Sequence, residues 1–260
     1  MNATIAAQMT AADFLKLRRK RGTLIWALVL ALAPVLIYFA VSALQHSSNP
    51  GKYGPAGGTH NFGDGLRFIA LFTGPLAAVL IGVEAGTGDA SAGVFRDLVV
   101  TGRSRLALFA SRLPAALALC WLLMTLSYLL LIAGTFIFAS GLPTPDTTLI
   151  LNGLGFTLLA TGAVCLVGVG LASLTTSKPA AITALIGWQL VVSPVIANIE
   201  SLGSARKGLL SQALAHFSPV RVGDRGGTVT MSEGVAIVVV IVWIAVFLAL
   251  GAWRTRTMDS

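Results

Sequence analysis

Three histidines (His46, His60, His216), two cysteines (Cys120, Cys165) and a handful of hydroxyls and carboxylates are where any catalysis by this 260-residue chain would have to begin. The histidines are scattered, with no spacing that gathers ligands around one ion, so no metal site is expected. Both cysteines lie inside apolar runs, where two isolated thiols make poor metal ligands. A loop that cradles nucleotide phosphates needs Gly-x-x-x-x-Gly-Lys-Ser/Thr. The Gly51-Lys52 pair is followed by Tyr53, and no such motif occurs. Ser140-Gly141 invites comparison with an intramembrane serine protease, whose nucleophile needs a His at membrane depth to take its proton. All three histidines fall in predicted outer loops, and Phe138 stands where such a motif has Gly. Ser140-Gly141 therefore reads as a helix end, and the chain reads as a non-enzyme that needs no cofactor of its own.

The elements explain why chemistry is so sparse. Hydrophobic residues make up 55% and charged residues 11% of the chain, with a mean hydropathy of +0.84. A soluble domain carries about 25% charge. The apolar residues fall in six blocks, at 24–44, 66–83, 113–139, 149–174, 179–199 and 235–253. A helix needs roughly 20 apolar residues to cross a hydrocarbon core, so the expectation is an all-α polytopic membrane protein with six transmembrane helices in one transmembrane domain, 1–260. A barrel would show short segments of alternating polarity instead. The basic cluster Arg18–Arg21 before the first block suggests a signal peptide, but the block is longer than a signal core. Pro34, Pro75, Pro114 and Pro194 lie in or beside the blocks, where neighbouring helices can re-satisfy a kinked backbone.

Lys and Arg near helix ends set orientation. Lys16, Arg18, Arg19, Lys20 and Arg21 precede the first block, and Arg96, Arg103, Arg105 and Arg112 follow the second. Lys178 follows the fourth, and Arg254 and Arg256 close the chain. The other face holds Lys52 and Arg67, plus Arg206, Lys207, Arg221 and Arg225 in a long loop that counts for less. Both termini are thus predicted to be cytoplasmic, with 1–22 a cytoplasmic N-terminal segment. The net charge of +8 is assigned to contact with membrane lipid. Nucleic acid is not expected as a partner, because no basic stretch is interleaved with aromatics that stack on bases. Residues 45–65 read as an irregular outer loop and 140–148 as a short outer turn. In 200–233, Leu209, Leu210, Leu214 and Phe217 share one face of a short helix, which either lies at the interface or belongs to a structured outer loop.

No Asp, Glu, Lys, Arg or His lies inside the six blocks away from their ends; Arg67, Glu84 and Arg112 are at the edges. A charge at the bilayer centre costs at least about 2.5–3.5 kcal/mol and is kept there for a task such as proton relay. Its absence argues against proton-driven transport, while sodium coupling through carbonyls and hydroxyls stays open. What remains is the loop from Glu84 to Arg112. Asp89 or Ser91 is placed to cap a short helix. Val94, Phe95 and Leu98 share a face at helical spacing, flanked by Arg96, Asp97 and Arg103. Such a ridge suits a groove on another protein or a lipid surface with arginines on phosphates.

Here the sequence resembles the permease subunits of type-2 ATP-binding-cassette exporters. That family's first cytoplasmic loop carries an acidic residue, Gly four positions on, and an apolar-basic helix ending in Thr-Pro-x-Ser-Arg. This chain has Asp89, Gly93, Arg96, Leu98, Thr101, Ser104 and Arg105, with Gly102 in place of Pro. Asp13-Phe-Leu-Lys16-Leu-Arg18-Arg19 is similar to the family's approach to its first helix. The resemblance implies that the segment around 90–100 is a coupling helix in the cleft of a separate cytosolic ATPase. Asp89, Val94, Phe95, Arg96, Asp97, Leu98, Arg103 and Arg105 would make that contact. It implies two ATPase copies, with ATP and Mg in them, a second permease copy or a sister permease, and a prokaryotic inner or plasma membrane. Spans 2 and 5 would line the substrate cavity with Phe72, Thr73, Trp188, Gln189, Ser193 and Asn198, which suit an amphipathic or lipid-like substrate. Any one of these also reads as ordinary packing or an interhelical hydrogen bond. Gly82 and Gly86 form a small-xxx-small pair that permits close helix contact. An ATP-independent channel or facilitator, and an assembly or immunity factor without transport, are the alternatives.

Overall fold

The computed structural model describes residues 3–91, 104–220 and 229–257, excepting the side chains of residues 3 and 89–91. Among the described residues every regular element is helical. Helix α1 (Ala3–Arg19) mixes apolar and polar residues and turns at Lys20 into α2 (Arg21–Ser48). Helix α3 is built from Gly58–Phe68, a π-helical turn at Ile69–Thr73, and Gly74–Ser91. Helices α4 (Arg105–Ile137) and α5 (Thr147–Thr175) follow. Helix α6 (Lys178–Asn198) contains a second π-helical turn at Trp188–Val192. A 3-10 stretch (Glu200–Gly208) and the short α7 (Leu210–His216) lead to α8 (Glu233–Thr257). Six of these helices, α2 to α6 and α8, are long and apolar enough to cross a membrane.

Burial ranks the six. Two thirds of the most apolar window of α3 and of α5 is buried (67% each), against 22% for α2 and α6 and 17% for α8. Helices α3 and α5 are therefore the axis of the bundle, and α2, α6 and α8 present wide apolar faces outward. Ile25, Trp26, Ile37, Val191, Val195, Val238 and Ile241 are all exposed. Lipid tails are as apolar as these side chains, so burial alone gives the helices little reason to associate; close backbone approach and interhelical hydrogen bonds do.

Glycine supplies that approach at the axis. A Cβ on Gly82 would fall on the Cys165 carbonyl, and one on Gly86 would sit 2.6 Å from the Val169 oxygen. The Gly82/Gly86 pair is thus the seam between α3 and α5, as its spacing suggests. A second seam joins α5 to α8, where a Cβ on Gly251 would lie 2.7 Å from the Gly170 oxygen. Hydroxyls tie the remaining helices: Ser127 donates to the Ala31 carbonyl (2.6 Å), fastening α4 to α2, and Tyr128 donates to the Ile150 carbonyl (2.6 Å), fastening α4 to α5. Buried Thr87, Thr157, Thr161 and Thr255 each donate to a carbonyl one turn back, which satisfies a polar group that would be costly in hydrocarbon.

At the end of the bundle away from the termini, α3 begins well before its apolar block. The structure places residues 58–65 in helix rather than in an irregular loop. The Thr59 N–H and hydroxyl both donate to the Pro143 carbonyl, and Asn61 Nδ2 donates to the Pro55 and Gly57 carbonyls. These bonds anchor the start of the helix, where the first donors have no partner within the helix itself. Arg67 consequently lies inside the second spanning helix. Ser140 and Gly141 take positive φ, 44° and 84°, in the turn that follows α4.

The glycine seam generates a direct test. Gly82→Val is expected to overpack the α3–α5 contact and to lower the thermal midpoint of the detergent-purified protein by an amount worth about 1–3 kcal/mol. Gly155→Ala, which adds its methyl to open space within a helix, is expected to leave the midpoint unchanged or raise it slightly. Equal midpoints for the two variants would remove the seam from the account.

Candidate functional site

Helices α3 and α6 run antiparallel and are joined at two levels. The first is at the π turns. A π turn widens the helix and frees a carbonyl from its usual partner, and such turns often occur at functional sites. Gln189, in the π turn of α6, donates from Nε2 to the Leu71 carbonyl in the π turn of α3 (3.3 Å). Beside this bond lies an apolar cavity of about 220 Å³. Trp188, Gln189 and Leu185 of α6, Val79 of α3, Leu210 of α7, and Trp243 and Phe247 of α8 line it. Trp243 bridges the aromatic wall, with its ring centroid 5.6 Å from both Trp188 and Phe247. Its indole N–H donates to the Gly208 carbonyl (2.9 Å), so the ring is held from its polar edge.

The other cavity candidates disperse. Thr73 is buried in the π turn of α3, and its hydroxyl has no partner among the described residues. Phe72 points outward, half exposed and stacked on Phe68. Ser193 is buried against the Ser211 hydroxyl (2.6 Å) at the start of α7. Asn198 is exposed and donates back to the Pro194 carbonyl. The structure therefore gathers Trp188 and Gln189 around one cavity, places Thr73 two residues from the carbonyl that Gln189 holds, and leaves Phe72, Ser193 and Asn198 elsewhere.

The second level is roughly 16–20 Å away by helical rise, at the end of the bundle that carries both termini. Glu84 of α3 is buried, its side chain only 6% exposed. Lys178, the first residue of α6, makes a short ion pair with Glu84 Oε2. The Thr23 hydroxyl of α2 donates to the same oxygen (2.8 Å), and Lys178 also reaches the Thr23 hydroxyl (3.1 Å). Lys20, at the bend between α1 and α2, stands 4.0 Å from Oε1. Two residues on, the Gly86 carbonyl accepts from Arg112 of α4 (3.4 Å) and Ser173 of α5 (3.3 Å). One turn of α3 is thereby bonded to α2, α4, α5 and α6. Next to it the Asp13 carboxylate of α1 accepts from the Ser111 hydroxyl of α4 (2.6 Å) and pairs with Lys16 (3.0 Å).

This polar node stands directly before the segment expected to couple. Asp89 lies in the last turns of α3, with its side chain outside the described residues. Val94, Phe95, Arg96, Asp97, Leu98 and Arg103 lie outside the described residues altogether. On the far side of the segment the Ser104 side chain caps α4 by accepting from the Ala107 N–H (3.1 Å). The Arg105 guanidinium donates to the Arg256 carbonyl at the end of α8 (3.2 Å). The sequence analysis takes Glu84 and Arg112 as block edges and Lys178 as an orientation signal, and does not single out Thr23.

Comparison with known families gives a match over residues 10–198 to the family described as ABC-2 family transporter protein. No curated protein matches the chain.

The ion pair yields a double-mutant test. Removing Lys178 leaves a buried carboxylate facing a lysine at 4.0 Å, whereas Glu84→Gln keeps the shape and loses the charge. Lys178→Met is expected to destabilise by about 1–2 kcal/mol, since the lysine is itself partly exposed. The double variant E84Q/K178M is expected to lose clearly less than the sum of the two. Additive losses in thermal midpoint would show that the pair contributes nothing as a pair.

Proposed function

We propose that this chain, which belongs to the ABC-2 transporter family, is the membrane permease subunit of an ATP-driven exporter. The bundle supplies the path, and a separate ATPase subunit, binding ATP and Mg, supplies the work. The observation that carries this reading is the position of the bonded turn of α3. Glu84 and Gly86 connect that helix to four neighbours immediately before residues 92–103, the segment assigned to the ATPase. A push delivered there has a stiff route to α6 through Glu84 and Lys178, and from α6 to the Trp188–Gln189 cavity.

Several features support the parts of this reading. The excess of Lys and Arg at the terminal face favours a cytoplasmic location for both termini, as coupling to a cytosolic ATPase requires. On this reading Phe95 and Leu98 are the apolar contacts to the ATPase, with Arg96 and Asp97 as the charged contacts beside them. Asp89, Val94, Arg103 and Arg105 complete the contact. Two ATPases and a second permease, identical or sister, complete the working unit in a prokaryotic inner or plasma membrane. The apolar cavity with one amide at its rim suits an amphipathic or lipid-like solute: the aromatic wall takes an apolar chain and Gln189 a polar group.

Phe95→Asp is expected to abolish the transport-stimulated part of ATP hydrolysis in the reconstituted complex while leaving membrane insertion of the chain intact. Unchanged stimulation would remove Phe95 from the coupling contact. Solute flux through the chain alone, in liposomes without ATP, would replace the exporter reading with a channel.

A further inference from the structure

Beside Glu84 a recess of about 600 Å³ opens between α2, α3 and α6. Arg19, Lys20 and Arg21 from the α1–α2 bend line it, with Lys178 from the start of α6. Four cations and one carboxylate thus line the same recess. Glu84 is already held by Lys178 and Thr23, and among the described residues Arg19 and Arg21 have no carboxylate partner. Like charges gathered at one recess repel, a cost that an anion bound there would reduce.

The surroundings select the kind of anion. Leu80 and Ile182 line the recess on its apolar side, and Trp26, 64% exposed, stands at its rim. Trp26 is on the second turn of a spanning helix, the depth at which tryptophan sits between headgroups and tails. From it, exposed Ile25 and Val29 continue along α2. A molecule with its phosphate on the cations would therefore lay its chains along the outer faces of α2 and α6. A soluble phosphate compound would leave that apolar side unused.

We propose that this recess binds the phosphate of an anionic membrane lipid, with Arg19 and Arg21 as its principal contacts. The inference rests on the reading that the terminal face lies in the headgroup layer of the membrane. Because the bound phosphate shares Lys20 and Lys178 with Glu84, the lipid becomes a further partner of the α3–α6 connection.

The test uses the purified full-length chain, without any ATPase, in neutral detergent. Fluorescent phosphatidylglycerol and phosphatidylcholine with identical chains are titrated, with glycerol phosphate as a soluble competitor. Phosphatidylglycerol is expected to bind about tenfold more tightly. Arg19→Gln combined with Arg21→Gln should erase the preference, and Arg19→Gln alone, on an exposed side chain, should reduce it by roughly threefold, half of that tenfold on a logarithmic scale. A charge-matched control, Lys52→Gln with Lys207→Gln, should keep it. Equal binding of the two lipids by the unaltered chain overturns the proposal, as does equal loss in the control. Displacement of phosphatidylglycerol by glycerol phosphate at equal concentration assigns the recess to free phosphate compounds and also overturns it. A chain that shows the preference yet never engages an ATPase sinks the exporter reading and leaves this one standing.

Discussion

A buried carboxylate in a bundle with almost no other buried charge is the constraint around which this molecule is arranged. Glu84 sits where water is scarce, and an ionised group there is tolerated only with a cation and hydrogen bonds in place. Lys178 provides the cation and Thr23 a hydroxyl, so the starts of α6 and α2 must both come to the end of α3. The glycine seam then sets how near α5 lies, because Gly82 and Gly86 admit no side chain against its backbone. Arg112 and Ser173 close the node on the Gly86 carbonyl. Electrostatics chooses which helix ends meet, and small residues decide how closely.

The same helix pair carries the functional argument. Helices α3 and α6 are joined at the node and again at their π turns, where Gln189 holds the Leu71 carbonyl. A π turn is a local departure from regular hydrogen bonding, so it is a place where a helix changes shape at low cost. A stiff connection at one end and two irregular turns beside an apolar cavity at the other make a lever in purely mechanical terms. The membrane subunits of this family are typically not themselves the ATPase.

Much of this was legible in the sequence. Six apolar blocks correspond to six candidate spans because length and hydropathy are local quantities, and Gly82 and Gly86 announced their seam by spacing alone. The family resemblance carried by residues from Asp13 through Arg105 agrees with the family match. The ion pair of Glu84 with Lys178 was not legible, since it joins residues 94 positions apart and each looked like the frayed edge of a block. The helical start of α3 was hidden too, because its Gly, Asn and Thr residues are stabilised by carbonyls from residues 55, 57 and 143. Neither π turn has a sequence signature. Among the cavity candidates, side-chain direction separated Trp188 and Gln189 from Phe72 and Asn198, and a span assignment carries no such direction.

On the proposed reading, force enters this bundle on its cytoplasmic side, through the segment between α3 and α4. An Arg96→Cys variant reports on this directly with a membrane-impermeant maleimide, because Cys120 and Cys165 are buried. The account predicts no labelling of the variant in intact cells and ready labelling in inverted vesicles, with protection when the ATPase subunit is bound. Labelling of the introduced thiol from outside intact cells would contradict it.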